Sequence, residues 1–253
     1  MLKHISVISF TKAIVLNSYK YSETSLICNL FSKDYGKLNI IAKGARSIKN
    51  PNKSILQPMH YIDLHYYYKP KRNIQLLKEA SINNHFYYIK KNYNKLIYSY
   101  SIIELINKTI QIEKTSDIIF RLTHKVLSKI NHGPNTFINI YFIFFQLQLL
   151  KFLGFQPVIN QCIICNSKLN DAVFNNYIGQ LCCLNCKNDD SGLIIDNKSL
   201  NVICFLSTTH VDKIEKKYNF NINLKNINQF LFQYISHHIV NINQLKTIKL
   251  LNK

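Results

Sequence analysis

The sequence predicts an α+β protein of more than one domain, in which an N-terminal β-barrel is followed by a helical domain with an inserted four-cysteine module. Three observations support this prediction. Short apolar or alternating runs fill the first 80 residues, apolar positions then recur at helical spacing, and two Cys-x-x-Cys pairs interrupt the helical part. We therefore divide the chain into residues 1–80 and 81–253, with the cysteine module at about 158–190.

Five runs in the first 80 residues predict strands, and turn-forming residues such as those of Asp34-Tyr35-Gly36 separate them. A small barrel suits five short strands because closure leaves no exposed edge. The OB-fold is the common barrel of this size that binds nucleic acid. The predicted strands are 13–16, 26–31, 38–42, 61–68 and 74–80.

After residue 80 the apolar residues recur at steps of three and four, which predicts amphipathic helices. The most apolar helix, at 137–153, ends before Gly154. It is shorter than the ~20 residues of a membrane span, and polar residues interrupt it, so we expect a buried core helix. The interrupting residues are Asn139, Gln146 and Gln148. The other predicted helices cover 86–100, 118–130, 200–206 and 227–235.

The chain is strongly basic, with a formal net charge of +19 from 32 Lys and Arg against 13 Asp and Glu. Such a field attracts polyanions, so nucleic acid or an anionic membrane surface are the natural partners. The alternative is codon bias, because Lys, Asn, Ile, Tyr and Phe, which A/T-rich codons encode, crowd the sequence. The first residues show no secretory signal, which favours a cytoplasmic protein whose seven cysteines stay reduced.

Two cysteine pairs, Cys162/Cys165 and Cys183/Cys186, are separated by 17 residues. This spacing is typical of a four-cysteine zinc site, in which the thiolates complete a closed tetrahedron with no open position for water. The sequence therefore predicts structural rather than catalytic Zn²⁺. Cys182 is an alternative third ligand in a Cys-x3-Cys arrangement, although the tighter spacing favours Cys183.

Two groups of cations flank the fourth predicted strand and are candidate DNA-binding residues. The first follows the third strand in a loop with Gly44 and Pro51; the second lies before the fifth strand. Such loops can carry cations to phosphates, whereas the alternative is a solvated surface in a Lys-rich protein. Between the groups, Tyr66 and Tyr68 share one face of a strand and Tyr67 takes the other. The candidates are Lys43, Arg46, Lys49 and Lys53 in the first group, and Lys69, Lys71 and Arg72 in the second.

The sequence contains neither a G-x-x-x-x-G-K-[ST] nor a G-x-G-x-x-G motif, and its 13 acidic residues form no cluster suited to two metal ions. The nine histidines show no H-E-x-x-H pattern. We therefore expect a protein that is not an enzyme.

Three stretches together resemble the RecO family of bacterial recombination mediators. The first runs from KAIVL at 12–16 through AKGARS at 42–47 to LQP at 56–58. The second is FLGFQP at 152–157, leading into Cys162. The third covers Tyr234 to His238 and then Leu245-Lys246. The resemblance spans nearly the whole chain. Two departures are Asn166, where the family usually has glycine, and Gly179-Gln180, where it often has a glycine pair.

This resemblance implies an OB-fold, a helical domain and a zinc site held by Cys162, Cys165, Cys183 and Cys186. It implies binding to single- and double-stranded DNA and annealing of complementary strands. It also implies a nucleoid-associated bacterial protein with RecR and single-stranded DNA-binding protein as partners, and RecA as an indirect one. Two alternatives are an RNA-binding OB/zinc module of the translation machinery and a structural scaffold whose charge is codon bias.

Overall fold

The structure is a computed structural model that describes residues 7–110, 117–187, 192–217, 224–240 and 244–251. It divides into two compact units, Met1–His132 and Gly133–Lys253. The first unit contains the barrel and the helices up to His132, and the second contains the remaining helices and the cysteine module. The predicted division into a nucleic-acid-binding domain at residues 1–80 and a helical domain at 81–253 stays a prediction, and the barrel's last strand continues beyond residue 80 to Asn84.

The first unit is built on a closed barrel of five strands with the order β1-β2-β3-β5-β4. Strand β1 is long enough to close it: its first half pairs with β4 and its second half with β2, with an irregularity in register between Val15 and Asn17. This is the predicted OB-fold topology, which is confirmed. The strands are β1 (Val7–Tyr21), β2 (Ser25–Ser32), β3 (Gly36–Ala42), β4 (Tyr61–Tyr68) and β5 (Gln75–Asn84).

Alternating side chains fill the barrel. Every second residue of β3 is buried, from Gly36 to Ala42, and β4 buries Ile62, Leu64 and Tyr66 in the same way. The short helix α1 (Asn52–Ile55) lies between β3 and β4, and Leu56 after it joins the barrel core. The loop between these strands is therefore anchored at its end by a fully buried side chain.

Three further helices belong to the first unit: α2 (Tyr87–Lys91), α3 (Tyr93–Thr109) and α4 (Asp117–His132). The predicted single helix at 86–100 is wrong in one respect, because it breaks at Asn92. The Asn92 backbone is extended, and its side chain accepts a hydrogen bond from the Lys95 amide at 3.0 Å, capping α3. The helical spacing of the apolar residues continues through Asn92, so the sequence pattern gives no sign of the break.

The second unit surrounds the apolar helix α5 (Ile138–Leu153), which packs against α6 (Asn197–Thr208) and α8 (Leu224–His238). The segment Asn135–Leu153 is long and apolar enough to cross a membrane, but 61% of its most apolar window is buried within the protein. Its polar residues are used internally: Gln148 donates to the carbonyls of Leu206 and Ser207, and Gln146 donates to Asn228. The predicted core helix is confirmed.

The cysteine module of the second unit contains a three-stranded antiparallel sheet with the order β7-β6-β8. Its strands are β6 (Ala172–Asn175), β7 (Gln180–Cys182) and β8 (Leu193–Ile195). Two short helices complete the described chain, α7 (Ile214–Lys217) and α9 (Ile248–Leu251).

Candidate nucleic-acid interface and metal centre

The first cationic loop, residues 43–53, is held against the turn between β1 and β2. The Arg46 amide donates to the Thr24 carbonyl at 2.8 Å. The Arg46 guanidinium donates to the carbonyls of Ser22 and Glu23 at 3.1 and 2.8 Å, and Ala45 is fully buried. A single guanidinium nitrogen, Nη1, therefore holds the loop and the β1–β2 turn together, a positioning role that the sequence did not indicate.

This loop forms one wall of an open groove of about 820 Å³. Arg46, Lys49 and Lys53 line the groove, and Lys90 of α2 joins them. Lys49 and Lys53 are exposed, so their ammonium groups can reach an anion in the groove. Lys43 is also exposed but does not line the groove.

Lys90 is the functional candidate that sequence reasoning missed. Its ammonium group contacts Nε2 of His60, while Nδ1 of the same imidazole lies 2.9 Å from the Ile55 carbonyl. Burial lowers the pKa of His60, which favours the neutral ring that donates to Ile55 and accepts from Lys90. The adjacent cations Lys90 and Lys91 were a local signal, but nothing local links them to a loop around residue 50.

The second cationic group lies in the turn between β4 and β5. Gln75, which is buried, holds this turn: its side chain accepts from the Lys69 amide at 2.8 Å and donates to the carbonyls of Lys69 and Arg72 at 3.0 and 2.7 Å. Lys71 and Arg72 are exposed and Lys69 is half-buried. The buried side-chain amide of Gln75 thus fixes the backbone of a turn that exposes Lys71 and Arg72 to solvent.

The two cationic groups extend from opposite ends of the short pairing between β3 and β5, which we call the β3–β5 seam. Strand β3 pairs in parallel with β5 through Ile40 with Gln75 and Ile41 with Leu76. The first loop starts two residues beyond Ile41, directly after Ala42, and the second turn ends at the residue before Gln75. The barrel topology therefore places both groups along the β3–β5 seam, although they lie far apart in sequence.

The three consecutive tyrosines have different environments. Tyr66 is fully buried in the barrel, and burial raises its pKa. Tyr68 shares its face, as predicted, with ring centroids 6.5 Å apart. Tyr35 stacks on Tyr68 at 6.4 Å and is 38% exposed. Tyr66 is therefore a packing residue, and the accessible ring beside it belongs to the β2–β3 turn.

The structure brings Cys162, Cys165, Cys183 and Cys186 together: their sulfur atoms all lie within 4.8 Å of one another. Each pair sits in a tight turn. In the first turn the Asn166 amide donates to the Cys162 carbonyl at 3.0 Å, and in the second the Cys186 amide donates to the Cys183 carbonyl at 3.0 Å. These four residues can hold a metal ion.

Cys182 lies outside this cluster. It is fully buried in β7, where its thiol lies 3.6 Å from the Val173 carbonyl of the neighbouring strand. Cys182 is the last residue of β7, and the backbone of Cys183 after it is still extended. Their side chains therefore point to opposite sides, and the Cys183 sulfur lies with the other three.

The thiols of the cluster differ in acidity. A hydrogen bond with the Ser167 hydroxyl, 3.1 Å away, is the main cause that lowers the pKa of Cys165 to about 6. Contact with the Cys165 sulfur is the main cause that raises the pKa of Cys186 to about 12. Four thiolates held this close together require a cation.

Two family models together match most of the chain. The one described as "Recombination protein O N terminal" matches residues 8–86, and "Recombination protein O C terminal" matches residues 90–246. Two relatives named DNA repair protein RecO align along almost their whole length. That of Caldicellulosiruptor saccharolyticus is 29% identical over 95% of both chains. That of Caldanaerobacter subterraneus is 25% identical over 90% of this chain and 92% of its own. A third, from Salinibacter ruber, is 34% identical over 60% of this chain and 58% of its own.

Proposed function

Because the chain belongs to the Recombination protein O family, we propose that it is a DNA repair and recombination mediator that binds single- and double-stranded DNA and anneals complementary strands. The observation that carries this proposal is the groove beside the closed barrel, where the described lining residues include Arg46, Lys49, Lys53 and Lys90. OB-fold barrels commonly use loops and an adjoining face to bind nucleic acid.

The mechanism is electrostatic. Lys49 and Lys53 reach phosphates from the groove, Lys43 extends the same cationic loop, and Arg46 positions that loop on the β1–β2 turn. Lys69, Lys71 and Arg72 provide a second set of contacts across the β3–β5 seam. Each neutralised phosphate releases counterions, so binding is steeply salt-dependent and nearly independent of sequence.

Annealing follows from the same charge. Two complementary strands repel each other through their phosphates, and a protein with a net charge of +19 lowers that repulsion when it binds both. No covalent bond is made or broken in this process. The function therefore needs no catalytic residue and no nucleotide hydrolysis.

The wider role that we propose is the one that family membership suggests. The protein acts in the RecF pathway in the cytoplasm, on the nucleoid, with RecR and single-stranded DNA-binding protein. It helps to load RecA onto DNA that is covered by the single-stranded DNA-binding protein. The relatives' names state DNA repair, and the basic surface suits such a location.

We propose Zn²⁺ as the ion of the cysteine cluster. Four zinc–sulfur bonds of about 2.3 Å in a tetrahedron separate the sulfurs by about 3.8 Å, and Cys165 and Cys183 have their sulfurs 3.7 Å apart. Four thiolates are a preferred zinc donor set. When bound, the ion cross-links the two cysteine turns of a segment whose small sheet has little core of its own.

The DNA-binding proposal is tested by annealing two complementary oligonucleotides without ATP over a salt series. We expect fast annealing at low salt that falls steeply as salt rises. A Lys43→Gln, Lys49→Gln, Lys53→Gln variant should reduce the slope of log affinity against log salt by about 3, since each lysine contact contributes about 1.

The control has the same charge change in the second unit, at the exposed residues Lys198, Lys213 and Lys216. Equal losses in both triple variants would show that total charge, rather than the groove, controls binding. Tighter binding to structured RNA than to single-stranded DNA would contradict the proposed substrate.

A further inference from the structure

A second recess in the first unit lies between the barrel and α4, and it shares none of its described lining residues with the groove. It has a volume of about 520 Å³, within the range of about 300–1,000 Å³ typical of small-ligand sites. None of its described lining residues is acidic. They are Lys12 and Lys33 of the barrel, Tyr61 of β4, and Phe120, Arg121, His124, Lys125 and Ser128 of α4.

The floor of this recess is aromatic. The Tyr61 ring lies 4.4 Å from the His124 ring and 6.1 Å from the Phe120 ring, between centroids. Phe120 and His124 are one helical turn apart, so they present one continuous surface. Phe120 is buried and anchors this surface, while Tyr61 and His124 are half-buried and line the recess.

The rim of the recess is cationic. The Lys33 amide donates to the Lys12 carbonyl at 2.9 Å, which places these two lysines side by side. The Lys12 ammonium lies 5.9 Å from the centre of the Tyr61 ring. Arg121 and Lys125 face them from α4, and Arg121 also pairs with Asp117. Burial lowers the pKa of His124, and nearby Lys12 adds to this effect, so the imidazole is neutral near pH 7.

From this arrangement we propose that the recess binds one unpaired nucleotide of single-stranded DNA, with the base stacked on Tyr61 and His124 and the flanking phosphates on Lys12, Lys33 and Lys125. An aromatic floor inside a cationic rim matches the two parts of a nucleotide. Bases in a duplex are already stacked and paired, so the recess favours single strands over duplexes. The inference rests on the proposed DNA binding and assigns it a site that distinguishes the two forms of DNA.

The first test measures the affinity of four proteins for a labelled oligonucleotide of about 15 nucleotides and for the matching duplex. Tyr61→Leu should weaken single-strand binding about tenfold, because one base loses its stacking partner, and should leave duplex binding unchanged. Tyr61→Phe keeps the ring and should behave like the wild type. Tyr93→Leu is the control, since Tyr93 is 71% exposed and lies outside the recess.

A second test uses the wild-type protein and so does not depend on how the variants fold. An oligonucleotide that carries 5-iododeoxyuridine is crosslinked by light, and the modified residues are found by mass spectrometry. We expect crosslinks at Tyr61, His124 or Phe120. Crosslinks confined to other residues would overturn the inference.

The results separate this inference from the function on which it rests. If the wild type binds DNA with a steep salt dependence but Tyr61→Leu binds both forms as the wild type does, the inference fails and the proposed function stands. Equal weakening for single strands and duplexes also refutes it. Binding of a Glu-rich peptide that requires Tyr61, with unchanged single-strand binding, would assign the recess to a protein partner. If the wild type binds no DNA at any salt concentration, both fail.

Discussion

Asn166 follows the second cysteine of the first cysteine turn and has a left-handed backbone, with φ of 60°. This conformation closes the turn: the Asn166 amide donates to the Cys162 carbonyl, and the Cys162 amide donates to the Ser167 carbonyl at 2.8 Å. Glycine adopts such a backbone without steric cost, and asparagine tolerates it better than other residues. The departure from glycine seen in the sequence therefore preserves the geometry.

We expect substitutions at Asn166 to follow backbone preference rather than polarity. Asn166→Gly should leave thermal stability and metal content close to the wild type, whereas Asn166→Val should cost about 1–3 kcal/mol because a β-branched residue is strained there. Thermal unfolding followed by circular dichroism, together with metal analysis, measures both effects. Equal stability of the Gly and Val variants would contradict this explanation of the turn.

The cationic candidates show what the sequence can and cannot predict at this scale. It indicates which residues carry charge, and Lys49 and Lys53 do face the groove. It does not reveal that Arg46 also donates to Ser22 and Glu23, or that Lys90 joins the same groove. Both facts depend on contacts between segments that are distant in sequence, and no local pattern encodes them.

Among the elements, the strands were predictable wherever one face of the barrel is buried. Strand β4 was predicted at its observed bounds, because its buried residues alternate regularly. Strand β1 was predicted only at 13–16 but runs from Val7 to Tyr21. Its two ends are largely exposed, so the apolar residues there, such as Val7, Ile8 and Phe10, do not follow the alternation of a buried face. Its length comes from pairing with two neighbours.

The turn between β6 and β7 depends on Gly179. Its φ is 69°, its amide donates to the Asn175 carbonyl at 2.8 Å, and its carbonyl lies 2.7 Å from Nε2 of His238 on α8. A Cβ atom at this position would lie 2.3 Å from Nδ1 of His237. The glycine therefore provides both a left-handed backbone and room for a ring on the neighbouring helix.

Gly179→Ala should accordingly destabilise the second unit by more than backbone strain alone. Gly154 is the matched control, because its φ is 83° and a Cβ atom there would meet no other atom within 4 Å. We expect Gly154→Ala to cost about 1–3 kcal/mol, Gly179→Ala to cost more, and a second change, His237→Ala, to recover the difference. Denaturant unfolding of the three variants measures these costs. Similar losses for Gly154→Ala and Gly179→Ala would show that the His237 ring moves aside freely.

For the molecule as a whole, the net charge of +19 predicts a polyanionic partner but does not locate the contact. The fold provides two candidate sites for it, the groove and the aromatic recess, and both lie in the first unit. The cysteine cluster lies in the second unit. The two features can therefore be perturbed separately.

Metal removal is the perturbation that separates them. We expect a chelator, or a fall in pH, to release the ion, because protons compete with it for the four thiolates. The second unit should then unfold at a lower temperature, while the salt dependence of DNA binding through the first cationic loop should persist. Metal analysis, thermal unfolding and DNA titration across a pH series follow the three quantities.

Two cysteine variants make this expectation specific. Cys183→Ser should lose the ion and reproduce the effect of the chelator, since Cys183 lies in the cluster. Cys182→Ala should keep the ion, because Cys182 is packed in β7 and only loses buried contacts. If Cys182→Ala loses the metal and Cys183→Ser retains it, the third ligand is Cys182 rather than Cys183. If salt-dependent DNA binding is lost together with the metal, the first cationic loop depends on the metal-bound fold. That result would contradict the expectation that DNA binding and metal binding can be perturbed separately.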